Sequence, residues 1–101
     1  MNDKMMHMLG IAMKAGKLAL GTDAARESIL KRKCALVVTA YDVSERTVRH
    51  FTLFSEKYGV KMLRAGITMD GLEKSVGKKT GVIAVNDIGF ANRLLALSAQ
   101  D

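Results

Sequence analysis

Proline is absent from this chain of 101 residues, cysteine occurs once, and three Phe and two Tyr are the only aromatic residues. Each scarcity excludes something. With no proline and with its nine glycines dispersed, the sequence offers no linker, repeat or low-complexity tract. It therefore reads as one domain over residues 1–101. A lone Cys34 rules out a disulfide framework and a zinc site built from thiolates. No apolar run approaches membrane-spanning length, and His7, Gly10 and Lys14 interrupt the Met-rich start too often for a signal peptide. The expectation is a cytoplasmic protein with no membrane partner. Because Phe51, Phe54 and Phe90 are needed for a core, an aromatic platform for stacking bases is not expected.

What is present is an ordinary globular balance with a basic bias. About half the residues are apolar (49%) and about a quarter charged (26%), enough to fold around a core without disulfides or metal. A formal net charge of +6 favours polyanionic partners, RNA or DNA before a membrane surface. The plainer alternative is a basic protein kept soluble by its charge.

Helix and strand patterns alternate from end to end. Met5, Met8, Leu9, Ala12 and Met13 have helical spacing, ending before Gly16. A short extended piece, 17–20, leads to a helix opened by Thr22 or Asp23 as cap, with Ala25, Ile29 and Leu30 inward. ALVVTA at 35–40 is a buried strand. Asp42 and Ser44 start a helix carrying Val48, Phe51, Phe54 and Tyr58 on one side, closed by Gly59. A strand over 60–64 and a helix from Thr68 to Val76, stopped by Gly77, come next. GVIAV at 81–85 is a second buried strand, and Asp87 caps a final helix with Phe90, Ala91, Leu94 and Leu97 inward. The pattern predicts a single-domain three-layer α/β/α sandwich around a mixed sheet of about four strands.

The stretch from Gly16 to Val43 is the most informative. It sets a Gly-Thr step at the mouth of a helix and Lys31-Arg32-Lys33 at that helix's end. Unpartnered N–H groups and a partial positive charge suit such a mouth to phosphate or a base edge, and the basic run adds attraction. Catalytic motifs fail by contrast. GLEKSVGKK at 71–79 has one residue too many between its glycines for a phosphate-binding loop, and Lys79 stands where Ser or Thr must hold the metal. Cys34 lacks a neighbouring His, and His7 and His50 stand apart without acidic neighbours. The expectation is no catalytic residue, no metal, no cofactor and no small-molecule substrate.

Gly16-Lys17 … Gly21-Thr22, the strand LVVTA followed by Tyr41-Asp42-Val43, Gly59-Val60 and Leu72 … Val76-Gly77-Lys78 together resemble the kink-turn-binding ribosomal family known as L-seven-Ae, with its L-thirty-e relatives. The opening LGIAMKAGKLALG and the closing NDIGFANRLLAL are similar to its bacterial branch. The resemblance implies a non-catalytic RNA binder associated with the ribosome or with translation. It implies contact through the helix entered at Gly21-Thr22, with Asp23, Ala24 and Glu27, and through the Gly77–Val82 loop, with Lys78, Lys79 and Thr80. Lys17, Arg26, Lys31 and Arg32 complete the candidate RNA-binding set. Family members commonly carry Asn, Glu and Lys where this chain has Asp23, Ala24 and Glu27. Each such base contact is worth roughly 1–3 kcal/mol, so these departures weigh against the standard contacts, and the expected target is structured RNA, a kink-turn or a variant of it. The alternative is a protein-interaction module of the same fold that has lost kink-turn binding.

Overall fold

The computed structural model describes residues 3–99. In chain order its elements are α1 (Asp3–Lys14), β1 (Leu18–Leu20), α2 (Thr22–Leu30), β2 (Leu36–Thr39), α3 (Glu45–Tyr58), β3 (Lys61–Arg64), α4 (Met69–Val76), β4 (Val82–Val85) and α5 (Ile88–Ala99). The sheet order is β1-β4-β2-β3. β2 and β3 run parallel, while β4 is antiparallel to both of its neighbours, so the sheet is mixed.

Strand alternation divides the core into two layers. On one face Leu36, Val38, Ile83 and Val85 pack with Met5 and Leu9 of α1, Leu72 and Val76 of α4, and Ala91 and Leu94 of α5. On the other, Val37, Val82 and Ala84 pack with Ala25 and Ile29 of α2 and Phe51 of α3. Helices thus cover both faces, and β2 and β4 are buried throughout, as the two apolar runs predict. Phe51 and Leu94 are fully enclosed; burying a side chain of this kind contributes roughly 1.5–3 kcal/mol. Among the described residues no helix is long and apolar enough to cross a membrane.

Three local expectations are corrected. The N-cap of α2 is neither Thr22 nor Asp23 but Gly21, at φ 99°, a backbone conformation that side chains with a Cβ rarely adopt. Leu30 points outward and is 51% exposed. At about 100° per residue it lies some 140° around the helix from Ala25, and Ser28 takes the inward place. Asp42 does not cap α3, a role that Ser44 fills alone; its carboxylate instead accepts a hydrogen bond from the Met69 N–H at 2.8 Å, tying the β2–α3 turn to the start of α4.

Candidate functional site

The site forms because strand directions bring separate loops to one end of the sheet. β1 pairs antiparallel with β4, Leu20 opposite Ile83, so the mouth of α2 emerges beside the segment entering β4. The Gly21 N–H donates to the Val82 carbonyl at 2.9 Å and locks the two together. β2 ends at the same place: Thr39 faces Val82, and the Ala40 N–H donates to the Gly81 carbonyl at 2.9 Å. Gly81 lies close under the β2–α3 turn, where an added Cβ would sit 2.8 Å from Val43 Cγ2. Met69 at the start of α4 borders the same point, its sulfur 3.2 Å from that Cβ position.

The mouth of α2 is open. Its first intrahelical bond runs from the Ala25 N–H to the Gly21 carbonyl at 2.9 Å, and no side chain caps the N–H groups ahead of it. The Gly21–Val82 bond ties that mouth, with its free donors and helix dipole, to the segment where the Gly77–Gly81 loop enters β4. In that loop Gly77 takes the left-handed conformation that ends α4. Lys78 and Lys79 are exposed, as expected. Thr80 is not an outward contact. It is 6% exposed, and its hydroxyl donates to the Val82 carbonyl at 2.9 Å, bracing the loop from inside.

Acids at the site are engaged by cations of the same chain. Asp23 Oδ1 lies 3.6 Å from Arg26 Nη1, and Asp70 Oδ1 lies 3.3 Å from Lys79 Nζ. Lys31 Nζ is 2.6 Å from Glu27 Oε1, and this hydrogen bond and charge hold the Glu27 carboxyl below the usual carboxylate range. Lys78 has no ion pair among the described residues. Arg26 also reaches across to α3, with Nη2 3.1 Å from His50 Nε2.

The candidate set is not gathered at one point. Gly21, Thr22, Asp23, Arg26, Lys78 and Lys79 belong to the loop-rich end. Lys17, Lys31 and Arg32 belong to the other, for α2 rises about 14 Å over its nine residues. Arg32 holds a left-handed backbone (φ 59°), and the following Ala35 N–H joins Val85 at 2.8 Å, at the far end of β4. The Lys17 carbonyl accepts there from the Asn86 N–H, also at 2.8 Å. Beside α2 runs a shallow groove of about 200 Å³ lined by Ala19, Ala24, Glu27, Ser28, Lys31, Lys33 and Asn86.

Sequence reading overlooked two groups. Asn86 Nδ2 donates to Ser28 Oγ at 3.2 Å in that groove, and its place just before a helix cap gives no hint of this. Tyr41, 62% exposed, carries the Arg64 guanidinium over its ring at 5.6 Å. An aromatic residue directly after a fully buried strand was the available signal. Cys34 is half-buried and donates to the Leu36 carbonyl at 3.2 Å; burial raises its pKa, so it stays a thiol.

An α/β/α sandwich with an open helix mouth locked beside a basic loop defines the class of site. The chain matches the ribosomal protein L7Ae/L30e/S12e/Gadd45 family over residues 3–94, and it belongs to that family. It is 33% identical over 91 residues to the RNA-binding protein YlxQ of Bacillus subtilis (strain 168), covering 89% of this chain and 90% of that one. It is 31% identical over 90 residues to the RNA-binding protein YlxQ of Enterococcus faecium, covering 89% and 86%. A protein of unknown function from Bacillus halodurans C superposes with a TM-score of 0.90 at 26% identity, over 95% of this chain and 97% of that one. A Giardia lamblia 15.5kD RNA binding protein shares the fold with a TM-score of 0.78 at 17% identity, over 96% and 86%.

Proposed function

We propose that this protein is a non-catalytic, cytoplasmic RNA-binding protein associated with the ribosome or with translation. It grips structured RNA between the open mouth of α2 and the Gly77–Val82 loop. The observation that carries the reading is the Gly21–Val82 hydrogen bond of 2.9 Å, which ties the uncapped mouth of α2 to the end of the loop that carries Lys78 and Lys79. Helix donors hold phosphate or a base edge, and lysines displace the counterions condensed on RNA. The names of the two bacterial relatives, both RNA-binding proteins, support the same reading. The target is a kink-turn variant, because Asp23 and Ala24 cannot make the contacts of an Asn and a Glu there. Glu27, bound to Lys31, presents an acid where a lysine would attract phosphate.

The engagement of Asp23, Glu27 and Asp70 with nearby cations favours one rival, a protein-interaction module of the same fold. Titrating two labelled hairpins, one with a kink-turn and one with its sheared pairs altered, at increasing KCl decides between them. RNA binding predicts an affinity that falls steeply with salt. Replacing Lys78 and Lys79 together by Ala should weaken binding and reduce the log–log salt slope by about 1 to 2. A double variant that binds like wild type at every salt concentration overturns the assignment of the loop. A wild type that binds no RNA leaves the interaction module.

A further inference from the structure

The chain encloses Leu36 to Ala40 and then exposes a ring. Tyr41 follows directly and is 62% exposed, although its backbone is held firmly. Its N–H donates to the Ile67 carbonyl at 2.7 Å, and its carbonyl accepts from Arg64 Nη2 at 2.9 Å. The same guanidinium nitrogen donates to Glu45 Oε1 at 3.1 Å, and the group lies 5.6 Å from the Tyr41 ring centroid. Arg64 is thus tied at two points while it flanks the ring. A planar group fixed in this way loses little freedom when a second planar group stacks beside it.

Its position matters as much as its exposure. Tyr41 begins the turn whose Val43 lies over Gly81, while its own ring leans on Arg64 at the end of β3, so the pair stands at the loop-rich end of the sheet. With β2 two places and β3 three places from β1 in the sheet, the Tyr41–Arg64 pair lies roughly 10–14 Å across the sheet end from Gly21. About three to four stacked nucleotides cover that span, at about 3.4 Å each.

We infer, on the RNA-binding reading above, that Tyr41 flanked by Arg64 is a stacking platform for an unpaired nucleobase of the bound RNA. Stacking accepts any base, so the platform selects for an extruded nucleotide beside a stem and not for a particular letter. It also supplies the aromatic contact that the chain's few rings argued against.

The test uses the full chain with two RNA probes. One is a hairpin with a three-nucleotide bulge carrying 2-aminopurine at one bulged position; the other is the same stem fully paired. Tyr41→Ala should weaken binding of the bulged probe about tenfold and leave its salt slope unchanged, because no charge is removed. Tyr41→Phe should bind like wild type. Leu53→Ala, which truncates a 63%-exposed side chain on α3, should also bind like wild type. Tyr41→Trp gives a chain without tryptophan a single reporter, whose emission should be quenched by the bulged probe more than by the paired one. Wild-type affinity in Tyr41→Ala overturns the platform. So does a loss in Tyr41→Phe equal to that in Tyr41→Ala, which would assign the contact to the hydroxyl. A wild type that binds neither probe with salt dependence overturns the RNA reading, and the platform falls with it.

Discussion

Three helices open at the loop-rich end of the sheet, and two of them close their own mouths. At α3 the Ser44 hydroxyl accepts from the Thr47 N–H at 3.2 Å, and at α4 the Thr68 hydroxyl accepts from the Gly71 N–H at 3.1 Å. At α2 the capping position is Gly21, which has no side chain to offer. The fold therefore concentrates three helix dipoles at one end, yet α2 is the helix without a side-chain cap there. The two capped mouths use their donors for stability; the open one leaves its donors without a side-chain acceptor. At the opposite end, α5 is capped as well, by Asp87 accepting from the Phe90 N–H at 2.9 Å.

The largest expected effect comes from rebuilding the open mouth. Asp23→Asn, Ala24→Glu and Glu27→Lys together restore a donor toward a guanine oxygen, an acceptor for its N–H groups, and a cation beside phosphate. Affinity for a kink-turn RNA should rise tenfold or more, on the order of one or more restored base contacts. The gain should shrink when the sheared G·A pairs are replaced by ordinary pairs, because phosphate contacts carry no sequence information. Equal gains on both RNAs would reduce the change to charge alone. No gain would place RNA recognition on another surface.

A smaller effect separates stability from binding. Ser44→Ala or Thr68→Ala should each lower unfolding free energy by about 1 kcal/mol, read from urea midpoints at constant slope. Thr22→Ala should leave the midpoint nearly unchanged, since Thr22 caps nothing. If Thr22→Ala destabilised the protein as much as the other two, the contrast between closed and open mouths would be wrong.

The smallest effect concerns the exposed pair Glu27–Lys31. The folded-state pKa of Glu27 is depressed, so its contribution to stability is present above the ordinary carboxylate pKa and is lost as pH falls through the lower folded value. Both side chains are more than half exposed, so pH titration of unfolding should reveal little difference between Glu27→Gln and wild type. RNA affinity should nonetheless rise slightly in Glu27→Gln, because Lys31 is released. A fall in affinity would mean that Glu27 itself accepts a hydrogen bond from RNA.

Sequence and structure agree where the signal is local. Apolar runs of strand length marked β2 and β4, helical spacing marked α1, and Ser44, Thr68 and Asp87 marked three helix starts. Errors arose where distant contacts decide. Leu30 looked inward until the orientation of α2 on the sheet was set by Ala25 and Ile29, and Thr80 looked like a loop contact until its hydroxyl met the Val82 carbonyl. Lys31 and Arg32, read as adding attraction to the mouth of α2 from its far end, stand about 14 Å from it at the opposite end of the sheet.

The sequence by itself therefore determined the layers, the element order and the basic character, all of which follow from periodicity, capping residues and composition. Only tertiary structure decided which residues share a surface. The antiparallel pairing of β1 with β4 brings Gly21 to Val82 across some sixty residues of chain, and the parallel pairing of β2 with β3 brings Arg64 to Tyr41. Strand pairing is a long-range choice made by burial of the whole sheet, and no short stretch of sequence contains it.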